Sequence, residues 1–207
     1  MNIFLLSRDP KESARMLCDK HVVKMITETC QILSTALLLK PGIGSKYVEF
    51  LYKPTHTEHP CVKWCLQENN FIWTNHLLTY LLIEYEYRFG RKDNFWKAKE
   101  LSKIFTMIEK NWINNKRGNA LWDIDWKSWP QCVTPVYKNI NPVKAYLCYY
   151  FYEKKKTMQC KWSKREEPNW MNHLQENNPP ILRVRKANPE FITITGIIPY
   201  NEGSPQF

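Results

Sequence analysis

Between Val22 and Leu37 the apolar residues Val23, Ile26, Cys30, Leu33 and Leu37 recur at alternating steps of three and four, which predicts the buried face of a helix. A second row, His21, Lys24, Glu28, Gln31 and Thr35, steps in the same way and predicts a polar stripe on that helix. Upstream, Asp9-Pro10 reads as an N-cap followed by proline at the first helical position, and Pro41-Gly42 ends the pattern. The apolar start, Met1 to Leu6, reads as a short buried strand or an extended arm.

Residues 41–58 are loop-like. His59-Pro60 opens a helical stretch that runs, with a break, to Phe89, where Gly90 is a natural stop. A further helix fits 94–113, residues 114–141 are irregular, and Pro142 opens a helix to about Gln159. From Pro168 the chain is rich in Pro and Asn, and holds one β-like run, Phe191-Ile192-Thr193-Ile194-Thr195, expected to pair with the N-terminal strand. The predicted fold is therefore mainly α. It is a single compact helical domain over 1–167, with a short N-terminal arm or strand and a partly irregular extension, 168–207, packed on it.

Composition sharpens this picture. Nine Trp, eleven Tyr and nine Phe in 207 residues are too many for a disordered chain. The formal charge of +10, with aromatics interleaved among the cations, favours nucleic acid as partner over mere solubility. The seven cysteines are an odd number, set mostly in apolar or helical stretches, and are expected as reduced, buried thiols. The apolar start is too short for a secretory leader and lacks its basic residues. With no apolar run near ~20 residues, no membrane span is expected either.

Four constellations could carry chemistry. In the stripe His21, Lys24, Glu28, a carboxylate stands one turn from an amine and two from an imidazole; a solvated polar face is the competing reading. His56, His59, Cys61 and Cys65 include ligand types for zinc, but their spacing fits no standard finger or ribbon. His59-Pro60-Cys61 reads better as a helix cap, so no metal and no cofactor are expected. Glu84 to Arg91 places Arg88 and Arg91 at a helix end, where capping and phosphate binding are equally good readings. Lys154 to Trp170 gathers six basic residues and two Trp, suited to phosphates and to stacking on a base. There is no phosphate-binding glycine loop, no Gly-x-Ser-x-Gly elbow, no His-Glu-x-x-His and no paired Asp cluster. ATP use, serine hydrolysis and two-metal nuclease chemistry are thereby disfavoured.

The segments Met1-Asn2-Ile3-Phe4, Cys18-Asp19-Lys20-His21-Val22-Val23-Lys24-Met25 and His59-Pro60-Cys61-Val62-Lys63-Trp64 resemble a group of phage-borne proteins. More distantly, the order Asp19, His21, Glu28, then Glu84 to Gly90, then Lys154 to Trp170 resembles phage endonuclease V, a pyrimidine-dimer DNA glycosylase with abasic-site lyase activity. In that family the nucleophile is the amine of the residue that follows a removed Met, and the key acid is the helix Glu. Asn at position 2 disfavours that removal, so the resemblance implies the amine of Met1 as nucleophile, with Lys24 as fallback, and Glu28 as the catalytic carboxylate. Free α-amines titrate near ~8 and lysines near ~10.4, so an α-amine is the readier nucleophile at neutral pH. A carboxylate stabilises the oxocarbenium-like state of glycosidic cleavage and then serves proton transfer in β-elimination.

The leading expectation is a glycosylase/lyase acting on damaged or modified pyrimidines in double-stranded DNA, working as a monomer in the cytoplasm, that of the host cell for a phage protein. Met1, His21, Lys24 and Glu28 form the expected catalytic set. Arg88, Arg91, Lys161, Lys164 and Arg165, with His21, are expected phosphate contacts, and Trp162 or Trp170 a stacking wedge. A non-catalytic DNA-binding protein and an enzyme acting on free nucleosides or nucleotides remain open alternatives.

Overall fold

The computed structural model describes residues 1–42, 44–115 and 124–171. Seven α-helices run through them: α1 (Pro10–Met16), α2 (Asp19–Leu38), α3 (Pro60–Trp64), α4 (Glu68–Phe89), α5 (Trp96–Asn115), α6 (Pro142–Tyr149) and α7 (Lys155–Met158). A π-helical turn, Tyr150–Lys154, joins the last two. Among the described residues there is no β-strand, and no helix is long and apolar enough to cross a membrane. The β-like run at 191–195, and most of the expected C-terminal extension, lie outside the described residues; Trp170 and Met171, beyond the expected boundary at 168, are buried in the core.

Local chemistry explains four of the helix ends. Asp9 caps α1 by accepting from the amides of Lys11 and Glu12, and Asn141 caps α6 by accepting from those of Val143 and Lys144. His59 caps α3 through its ring nitrogen, with Pro60 at the first position. Gly90 ends α4 in the left-handed region at φ 66°, the conformation that favours glycine.

Helices α2 and α4 form the central pair, with α1 and α5 packed on α4 and α3 on α2. Burial on α2 is wider than one stripe. Val22, Met25, Thr29 and Ile32 join Ile26, Cys30, Leu33 and Leu37 inside, whereas Val23 is exposed. Both ends of the expected polar stripe, His21 and Thr35, are also buried, because α2 is covered on several sides at its ends. Lys24 remains exposed and Glu28 half-buried.

The helical pattern from Pro10 onward is broken at Leu17 and Cys18, which are extended. Distant side chains hold the break. Arg88 donates to the carbonyls of Arg15 and Leu17, both at 2.8 Å, and Trp162 donates to that of Met16 at 2.9 Å. The Cys18 amide donates to the Tyr150 hydroxyl and the Asp19 amide to the Lys161 carbonyl, both at 2.8 Å. The polar groups that a continued helix would have paired are thus satisfied from α4, from the π-helical turn and from the chain after α7.

Candidate active site at the N-terminal arm

The first residues form an extended arm with Ile3, Phe4, Leu5 and Leu6 buried. Its backbone is held by Ser13 of α1, whose hydroxyl donates to the Phe4 carbonyl at 2.9 Å and accepts from the Leu6 amide at 3.2 Å. Phe4 is enclosed by rings. His21 lies 4.6 Å from it, Tyr150 5.6 Å, Tyr146 5.8 Å and Tyr149 6.2 Å. His21 shares a 2.8 Å hydrogen bond with the Tyr150 hydroxyl. His21 is therefore buried and does not reach solvent as a phosphate contact; its ring is a wall of the arm's anchor.

This anchor delivers the chain's first residues to Glu28. The Asn2 amide donates to Glu28 Oε2 at 3.1 Å, and Lys24 Nζ stands 3.3 Å from Oε1. The Asn2 side chain fixes the position: its Nδ2 donates to the Cys132 carbonyl at 2.9 Å, and its Oδ1 accepts from the Tyr146 hydroxyl at 2.7 Å. His59 closes another side. Burial holds its ring below the ordinary histidine value, and the amine of Met1 and His56 act in the same direction, against Glu28 and a hydrogen bond with Met1. The Met1 amine also acts, after the Cys61 hydrogen bond and against burial, to lower the Cys132 thiol.

Cys132 was not among the sequence-derived candidates. It comes from the irregular stretch between α5 and α6, and its sulfur lies 3.7 Å from that of Cys61, 71 residues away. Sequence spacing grouped Cys61 with Cys65 instead. Cys65 turns to Thr74 at 3.4 Å and is fully buried, which pushes its thiol up to about 12. All seven cysteines are free.

One turn beyond Glu28, Gln31 lines a groove of about 580 Å³ with Tyr52, Lys53, Thr55 and Lys97. Lys97 Nζ lies over the Tyr52 ring, 4.4 Å from its centre.

The remaining expected contacts fall into two groups. Arg88, Arg165, Trp162 and Trp170 are engaged internally. Arg88 has no exposed side-chain surface; besides the α1 carbonyls it binds Glu84 at 2.7 Å and Asp19 at 3.0 Å. Arg165 makes two 2.8 Å bonds to the same Glu84 and packs its guanidinium 4.2 Å from the centre of the Tyr87 ring. Trp162 caps Met16 and Trp170 is buried, so neither stands free as a wedge. The two arginines are held by this network because burying Glu84 requires cations beside it. Arg91, Lys161 and Lys164 form the second group and stay at the surface.

No curated protein and no solved structure matches the chain. Residues 1–98 match the model of the family described as pyrimidine dimer DNA glycosylase, and the match takes in the arm, Lys24, Glu28, His59 and Cys61.

Proposed function

We propose that the chain is a DNA glycosylase/abasic-site lyase acting on damaged or modified pyrimidine nucleotides in duplex DNA, with the amine of Met1 as nucleophile and Glu28 as the catalytic carboxylate. One observation carries the reading: the arm ends on Glu28, with the Asn2 nitrogen 3.1 Å from its carboxylate. The family match supplies DNA as the substrate class. Removal of Met1 would pass the same role to the Asn2 nitrogen, which already occupies the place beside Glu28.

In this scheme the amine lone pair attacks C1′ of an extruded nucleotide, and the bond to the base breaks, its electron pair leaving with the base, which takes up a proton. The sugar ring opens to an imine between the amine and C1′, with O4′ protonated. Glu28 stabilises the positive charge that develops during base loss. It then removes a C2′ proton, and the C3′–O bond breaks by β-elimination. Water hydrolyses the imine and frees the amine. Lys24, ion-paired to Glu28, holds the carboxylate in place beside the sugar. The groove one helical turn from Glu28, where Tyr52, Lys53 and Lys97 stand with Gln31 and Glu49, supports the reading as an aromatic and polar receptacle.

The test is base release from ultraviolet-irradiated duplex by Glu28→Gln, which keeps the shape and removes the charge. A fall of roughly 10²-fold or more with the fold intact is expected. Full activity in that variant on a verified substrate would remove Glu28, and the scheme with it.

A further inference from the structure

Beside the arm, two cysteines and a histidine from segments far apart in sequence converge. A ring nitrogen of His59 and the sulfurs of Cys61 and Cys132 all lie within 4.8 Å of one another. The two sulfurs are 3.7 Å apart. That is far beyond the ~2.05 Å of a disulfide, and it matches the separation of about 3.8 Å that two thiolates show when each sits ~2.3 Å from a tetrahedral zinc. We infer that His59, Cys61 and Cys132 form a site for zinc, with three protein ligands and a fourth position open.

The surroundings suit such an ion. Two thiolates and a neutral imidazole are a soft donor set that favours zinc over magnesium or calcium. Cys61 is buried and Cys132 partly exposed, which gives a metal a protected seat with a way in. The ligands are also anchored from behind. Cys61 sits in the first turn of α3, and the Cys132 amide donates to the Tyr146 hydroxyl at 3.1 Å; ligation through the His59 ring would replace the 3.2 Å bond that its Nδ1 now accepts from the Cys61 amide. On binding, two Zn–S bonds replace two S–H bonds, and the displaced protons pass to solvent. The ion would tie α3 to the stretch before α6 and so clamp the Cys132 carbonyl that holds Asn2. The site departs from the absence of metal expected on sequence spacing, because its third ligand comes from the irregular stretch and not from Cys65.

The inference does not rest on the glycosylase reading, and its readout is metal binding alone. The full chain, reduced and stripped of metal, is titrated with Co²⁺ and then Zn²⁺. One equivalent of Co²⁺ should give thiolate-to-cobalt charge-transfer absorption, which Zn²⁺ abolishes by displacement. Cys132→Ser should lose that absorption and bind at least ten-fold more weakly, with an unchanged circular dichroism spectrum, while Cys30→Ser retains it. In the unmutated chain, one equivalent of Zn²⁺ should slow alkylation of Cys132, mapped by mass spectrometry. Cobalt binding without charge-transfer absorption, undiminished binding by Cys132→Ser, or Cys132 alkylation indifferent to zinc would each overturn the site.

Discussion

The amide nitrogen of Asn2 lies 3.1 Å from Oε2 of Glu28, joining the first residues of the chain to the middle of α2 across 26 positions. That contact depends on the whole arm. Phe4 is locked among His21, Tyr146, Tyr149 and Tyr150, and Asn2 spans from Tyr146 to Cys132. The relationship makes the arm's anchor as important to the proposed chemistry as the carboxylate itself.

Asn2→Ala removes the side-chain bonds to the Cys132 carbonyl and the Tyr146 hydroxyl. It should lower stability by roughly 1–2 kcal/mol, the cost of bonds in a partly buried site. The larger effect should be on chemistry, because the Asn2 backbone nitrogen, and the start of the arm with it, would no longer be fixed beside Glu28. Thermal unfolding and single-turnover base release, measured on the same protein, should show a modest fall in the first and a fall of at least ten-fold in the second. Equal losses in DNA affinity and in turnover would place Asn2 in binding instead.

The buried cation Arg88 holds α1, α2 and α4 together through Arg15, Leu17, Asp19 and Glu84. Arg88→Met leaves Glu84 buried with Arg165 alone and strips two carbonyls of their donor. Destabilisation of roughly 3–5 kcal/mol is expected, read by denaturant titration. A variant as stable as the parent would mean that the network is replaceable by apolar packing.

Glu84 also sets a pH dependence. Burial raises its carboxyl, but hydrogen bonds from Arg165 and Arg88 outweigh that and bring it below the ordinary glutamate value. A carboxyl depressed in the folded state contributes stability above the unfolded value of ~4.3, and that contribution is lost as pH falls through the lower folded value. Stability should therefore fall on acidification below about pH 5. Glu84→Gln should be less stable at neutral pH and show a shallower acid dependence in thermal melts from pH 7 to pH 3. Parallel curves for the two proteins would contradict this assignment.

The basic segment from Lys154 to Arg165 offers fewer cations to DNA than its sequence implies. Arg165 is bound to Glu84, Lys154 to Glu153 and Lys155 to Glu167, while Lys156, Lys161 and Lys164 are exposed. With about three phosphate contacts, the log–log slope of affinity against salt should be near −2 to −3, where five contacts would give about −4 to −5. A slope of zero would mean that this face does not touch the backbone.

Much of the fold was legible because its signals are local. Asp9-Pro10, His59-Pro60, Asn141-Pro142 and Gly90 each declare a helix end within a few residues, and the structure puts caps there. The polar positions of Glu28 and Lys24 on α2 were legible from periodicity, and the family model over residues 1–98 agrees with the resemblance drawn from the order Asp19, His21, Glu28 and Glu84 to Gly90. The break at Leu17 and Cys18 was not legible, since Arg88, Trp162 and Tyr150 create it from 71 or more positions away. The same holds for Arg88 and Arg165, which look like surface cations until Glu84 is seen buried between them. Cys132 was equally hidden: nothing near it in sequence marks it as a neighbour of Cys61.

The proposed chemistry turns on an imine between an amine at the end of the arm and the sugar. Its most direct test is borohydride reduction during incubation with abasic and with ultraviolet-irradiated duplex. A covalent protein–DNA adduct is expected, abolished when the first amine is acetylated and retained in Lys24→Ala. An adduct that survives acetylation and disappears in Lys24→Ala would transfer the nucleophile to the side chain. Absence of adduct on both substrates would rule out the imine and the lyase chemistry with it.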